Sequence, residues 1–200
     1  MASSASCTTN AVAPIIDILH RAIGINSGVI TTIHSAMNDQ PVIDAYHNTD
    51  LRKTRSAIRS VIPVDTGLAR GIDRILPELT GLFEAQAMRV PTIDVSAIDL
   101  SISLKQHTSP ETLNQLLVDA AASAPYQGIV GVSFEPLASC DYLGETRSAV
   151  VDASQTRVAG GNLAKLLIWF DNEWGYANRM LDVANHWLSG VNDIALSDKM

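Results

Sequence analysis

Ser6-Cys7-Thr8-Thr9-Asn10 places a thiol directly before a segment in which Ala11, Val12, Ile15, Ile16, Leu19 and Ile23 recur at three-to-four-residue spacing. That spacing predicts a helix over Thr8 to Ile23, with Pro14 early enough to be tolerated and Gly24 at the position that commonly follows a helix end. The run Ser27 to Ile33 is rich in β-branched residues and predicts a strand delivering His34 at its C-terminal end, where open sheets carry chemistry. Free amides in a first helical turn, with the helix dipole, stabilise an anion, so Cys7 is expected to ionise below the ordinary thiol value of about 8.5. Cys7 is thus a candidate nucleophile. Taken alone, the same residue reads more readily as a small buried thiol at a turn.

Composition narrows the classes. The chain has 200 residues, 46% of them hydrophobic and 18% charged, which suits a globular domain with a sizeable core. A formal charge of -7 argues against nucleic acid or an anionic membrane surface as the main partner, so any anionic substrate must be met by local cations. Two cysteines, Cys7 and Cys140, suffice for neither a disulfide framework nor a zinc cluster, and no metal site is expected. No leader pattern and no membrane-spanning apolar run is present, and a soluble cytoplasmic protein is expected.

Residues 35–64 lack clean periodicity and carry Arg52, Lys53, Arg55 and Arg59, which predicts a long excursion with short helical pieces. Thr66-Gly67 precedes a short helix ending near Leu76-Pro77, where a hydroxyl and free amides serve either to cap the helix or to bind phosphate. Strands are predicted over 84–90, 93–104, 129–132, 148–151 and 163–170, and helices over 109–123 and 174–188. Helices intervene between only some of the strands. The fold class is therefore α+β, a large mixed, mainly antiparallel sheet with helices mostly on one face.

Four motifs in order carry a resemblance: Ser6 to Asn10, Thr32-Ile33-His34, Arg89-Val90-Pro91-Thr92, and Trp169-Phe170-Asp171-Asn172-Glu173-Trp174-Gly175-Tyr176. Together they resemble the catalytic domain of the glyceraldehyde-3-phosphate dehydrogenase superfamily. Within it, His34 to His47 and Ile62 to Thr66 are most similar to the erythrose-4-phosphate dehydrogenases. The glyceraldehyde enzymes usually carry a threonine where Met37 stands, and a Ser/Thr pair where this chain has Val64-Asp65.

The resemblance implies Cys7 as nucleophile, His34 as base, and NAD as cofactor, with Asn172 contacting its nicotinamide. It assigns anion binding to Ser6, Thr8, Lys53, Thr66, Gly67 and Arg89. Lys53 replaces a usual arginine with a point charge lacking the planar fork. Poorly held inorganic phosphate would leave water to release the acyl group, giving 4-phosphoerythronate from an aldose phosphate substrate. The family also implies a homo-oligomer, a tetramer in the full-length protein. No Gly-x-Gly-x-x-Gly loop occurs here. Residues 1–190 are accordingly expected to be the catalytic domain without its dinucleotide-binding partner, toward which helix 174–188 would pack, with 191–200 a weakly ordered tail. Other readings are a phosphorylating glyceraldehyde-3-phosphate dehydrogenase and, from a different class, a non-catalytic assembly module.

Overall fold

The computed structural model describes residues 3–47 and 50–197, with side chains described as far as residue 189. Helix α1 (Cys7–Ala22) runs into strand β1 (Ile25–His34), followed by β2 (Ile62–Val64), α2 (Leu68–Ile75), β3 (Phe83–Arg89), β4 (Ser96–Leu104), α3 (Pro110–Ala121), β5 (Val130–Ser133), β6 (Ala149–Ala159), β7 (Leu163–Phe170) and α4 (Trp174–Ser197). The seven strands form one sheet in the order β2-β3-β1-β4-β7-β6-β5. The β1–β3 and β5–β6 pairs are parallel and the other four pairs antiparallel, which is the mixed, mainly antiparallel sheet expected.

Alternation decides which face is covered. Ile98, Leu100, Ile102 and Leu104 of β4 and Ala164, Leu166, Ile168 and Phe170 of β7 are buried, while Asp99, Ser101, Ser103 and Lys165 point the other way. The buried set meets Ile15, Ile16 and Leu19 of α1, Ile72 of α2, and Leu113 and Leu117 of α3 in one continuous core. Helix α1 then folds back over β1 through Gly24, whose φ of +80° suits a residue without a Cβ. A helix of 16 residues spans about 24 Å and a strand of 10 about 33 Å. The fold-back therefore brings the end of β1 back to the start of α1.

Several boundaries differ from the sequence reading. Pro14 stands eight residues into α1, beyond the first turn, so it removes the helical bond to the Asn10 carbonyl. The excursion contains the edge strand β2 and one short 3-10 turn, Leu51–Thr54. Strand β4 starts at Ser96, since Val95 adopts φ +62° and breaks the extended run. Strand β6 continues to Ala159, across a register shift between Asp152 and Arg157. Helix α4 begins where expected and runs past 188 to Ser197; of the tail, residues 198–200 lie outside the described residues. No helix among the described residues is long and apolar enough to cross a membrane.

Candidate active site

Ser6 caps α1: its backbone is extended and its Oγ accepts the Thr9 amide at 3.1 Å, so Cys7 occupies the first helical position. The turn before it is strained. Ala5 has φ +56°, a conformation costing a residue with a Cβ about 1–2 kcal/mol. Side chains from two helices hold it: Asn10 Nδ2 donates to the Ser4 carbonyl at 2.6 Å and the Ser6 carbonyl at 2.9 Å, and the Tyr176 hydroxyl donates to the Ala5 carbonyl at 3.1 Å. Three successive carbonyls ahead of the thiol are thereby tied down.

Cys7 Sγ lies 3.6 Å from His34 Nε2. The other ring nitrogen, Nδ1, is 2.9 Å from the Ser35 carbonyl, which can only accept, so Nδ1 carries the proton and Nε2 offers its lone pair to the thiol. The edge of Phe170 packs against the imidazole at 6.1 Å between centroids, and His34 is buried. Burial pushes the His34 pKa down, with the Arg89 charge acting in the same direction against the Ser35 hydrogen bond. Burial also pushes the Cys7 thiol up, outweighing the amides of Thr8 and Cys7 and the charge of Arg89, all of which favour thiolate. The expected depression of the thiol pKa is thus reversed. Both shifts favour a neutral thiol beside a neutral imidazole.

Arg89 is the register partner of His34 in the parallel β1–β3 pair, which is how the sheet brings it to the thiol. It ion-pairs with Asp39 at 3.7 Å, and its Nε is buried without a hydrogen-bond partner. Ser6, Thr8, Thr66 and Gly67 line a separate cleft of about 690 Å³ beside the start of α1. Thr66 Oγ1 accepts the Leu68 amide at 3.2 Å, though the cap position of α2 belongs to Gly67, which has no side chain. Lys53 lies in the 3-10 turn and is not part of that cleft's wall. Met37 is 45% exposed.

Asn172 is buried, and its Oδ1 accepts hydrogen bonds from Ser35 Oγ at 2.9 Å and Ser96 Oγ at 2.7 Å. Ser96 Oγ in turn accepts the Ser35 amide at 3.0 Å. Two hydroxyl donors fix the amide orientation and leave Nδ2 as the free group, a donor suited to a carboxamide oxygen such as that of nicotinamide. Sequence reasoning singled out Cys7, His34, Arg89 and Asn172 but missed Asn10, Ser35, Asp39, Ser96 and Tyr176, which hold them. Asn10, Ser35 and Tyr176 stand inside or beside the four motifs. Ser96 had no local signal.

A thiol with a base aimed at it is an arrangement that can carry nucleophilic attack on an electrophilic carbon. Residues 6–172 match the family described as "Glyceraldehyde 3-phosphate dehydrogenase, C-terminal domain", and the chain belongs to that family. It is an oxidoreductase domain of a family whose enzymes are in general NAD-dependent.

Proposed function

We propose that this domain, in the protein that carries it, oxidises D-erythrose 4-phosphate to 4-phospho-D-erythronate through a thioester on Cys7 that water releases. The carrying observation is the 3.6 Å approach of Cys7 Sγ to the unprotonated Nε2 of His34. His34 takes the thiol proton as sulfur attacks the aldehyde carbon, and the Cys7 amide with the resulting imidazolium stabilises the hemithioacetal oxyanion. Asn172 Nδ2 would hold the carboxamide of NAD, which would supply the hydride acceptor for this carbon. Once its proton has passed to solvent, neutral His34 activates the water that cleaves the thioester, and the proton so gained returns to the departing Cys7 sulfur. Arg89 serves one anion position beside the thiol, and the hydroxyls of Ser6, Thr8 and Thr66 serve a second in their own cleft.

Met37 and Val64-Asp65 support the four-carbon substrate over glyceraldehyde 3-phosphate, because they remove hydroxyls that would otherwise hold phosphate. Lys53 stands outside the wall of the hydroxyl-lined cleft and offers inorganic phosphate no planar fork there, which supports hydrolysis over phosphorolysis. On the full-length enzyme, kcat/KM for erythrose 4-phosphate should exceed that for glyceraldehyde 3-phosphate, and product should form equally with and without phosphate in the buffer. A phosphate-dependent, acid-labile acyl phosphate as the sole product defeats the reading. Assembly into a homo-oligomer is part of the same proposal, and sedimentation of the full-length protein tests it.

A further inference from the structure

Strands β1 and β7 end, and β4 begins, on one side of the thiol, and the sheet register decides which side chains meet there. Ser96 opens β4 opposite Phe170 of β7, and the next residue, Ala97, stands opposite Ile33 of β1. The residues just past the ends of β1 and β7, Ser35 and Asn172, therefore converge on Ser96 from either side. Ser35 is fully buried, and each of its polar atoms is engaged. Its amide donates to Ser96 Oγ at 3.0 Å, its hydroxyl donates to Asn172 Oδ1 at 2.9 Å, and its carbonyl accepts the Nδ1 proton of His34 at 2.9 Å. Ser96 Oγ donates to the same Asn172 oxygen at 2.7 Å, which closes a hydrogen-bonded ring through the three residues.

The ring matters because the pairing of β1 with β3 stops at His34. Beyond it, the peptide whose carbonyl faces the imidazole has one backbone bond, from the Ala36 amide to the Thr92 carbonyl at 2.9 Å. That bond fixes one edge of the peptide, about which its plane can still turn. A carbonyl turned away from Nδ1 leaves the proton to either ring nitrogen, and of the two neutral tautomers only Nδ1–H leaves Nε2 able to take the thiol proton. We propose that Ser35 is a positioning residue whose hydroxyl, anchored on Asn172 Oδ1, holds its carbonyl against Nδ1 and so fixes the His34 tautomer that faces Cys7. Asn172 thus acts on the base through Oδ1 while its Nδ2 stays free. This rests on reading His34 as the base for Cys7, and it adds the residues that set the tautomer of that base.

The test is nitrogen NMR of the chain with 15N-labelled histidine, in which the two ring shifts of His34 report its tautomer and His34→Asn assigns them among the five histidines. Ser35→Ala, Asn172→Ala, their double variant and Thr156→Val are compared with the parent. Thr156→Val controls for lost stability alone, because it deletes a buried hydroxyl bond to Asn114 between β6 and α3. The parent should hold Nδ1–H in excess. Each single variant of the ring should lower the ratio of Nδ1–H to Nε2–H about fivefold, the worth of one buried hydrogen bond. The double variant should match the singles, since both act through one bond. Cys7 alkylation by iodoacetamide should slow in proportion to the lost Nδ1–H fraction and keep its pH profile. Either single variant decides the question if the other fails to fold. An Nε2–H parent, an unmoved ratio in the ring variants, additive losses in the double variant, or an equal shift in Thr156→Val overturns the proposal. A shifted tautomer with Cys7 unreactive in the parent sinks the catalytic reading and leaves the role of Ser35 standing. A reactive Cys7 with an unmoved tautomer does the reverse.

Discussion

Replacing His34 with asparagine should change the pH dependence of Cys7 reactivity in shape as well as in size. The thiol is held above its ordinary pKa and the imidazole below its own, so the neutral pair spans the range between them. Moving the proton from sulfur to Nε2 costs at least the difference of the ordinary values, about two pK units or 2.7 kcal/mol. At 3.6 Å and an effective dielectric of about 20, the attraction between thiolate and imidazolium recovers about 4–5 kcal/mol. Burial of both groups consumes part of that gain, which leaves the ion pair thermally accessible. Its fraction does not change with pH while the pair shares a single proton. Iodoacetamide should therefore alkylate Cys7 at a nearly constant rate from about pH 6.5 to 8.5. In His34→Asn the rate should instead rise about tenfold per pH unit over the same range, tracking free thiolate alone. Peptide mass spectrometry separates Cys7 from Cys140 in each sample. A wild-type profile with the same unit slope as the variant refutes proton sharing across the pair.

Ser96→Ala leaves the Ser35 amide without its acceptor and takes one donor from Asn172; urea denaturation should show a loss of about 1–3 kcal/mol, and NAD affinity of the full-length enzyme should fall as the amide loses its fixed orientation. Tyr176→Phe frees the Ala5 carbonyl at a cost of about 1 kcal/mol, and Cys7 alkylation should slow severalfold while Cys140 alkylation is unchanged. Because folding depresses the His34 pKa, the unfolded chain alone binds a proton between the lowered value and about 6.5, so stability is complete above pH 6.5 and falls as the pH drops through that window. Denaturation midpoints of His34→Asn should lose this limb between pH 7 and 5. The later acid loss, to which the Arg147-paired carboxylate of Glu145 contributes below its ordinary value of about 4.3, should remain.

The α1–β1 pairing could be read directly because helical spacing gives way to a β-branched run at Gly24, and a fold-back that short leaves Cys7 little choice but to meet His34. Strand β2 was hidden because three residues show no alternation, and the far half of β6 because Ser154 and Gln155 interrupt its apolar pattern. Val95 misled for the opposite reason. A β-branched residue argues for a strand, yet tertiary packing with Tyr142 and Val150 holds it in the left-handed region. The Asn172 clamp joins residues 137 and 76 positions apart, a separation at which spacing carries no information. The direction of the thiol shift follows from burial, which exists only once α1 lies on the sheet.

The most direct test of the central claim is the chemical state of Cys7 during turnover. The full-length enzyme is mixed with NAD and erythrose 4-phosphate, quenched in acid within the first turnover, digested and mapped by mass spectrometry. A phosphoerythronyl thioester on the Cys7 peptide is predicted, removable by hydroxylamine, and forming more slowly in His34→Asn, where the thiol has lost its base. NADH formed with Cys7 unmodified, or an adduct on Cys140 instead, contradicts the account.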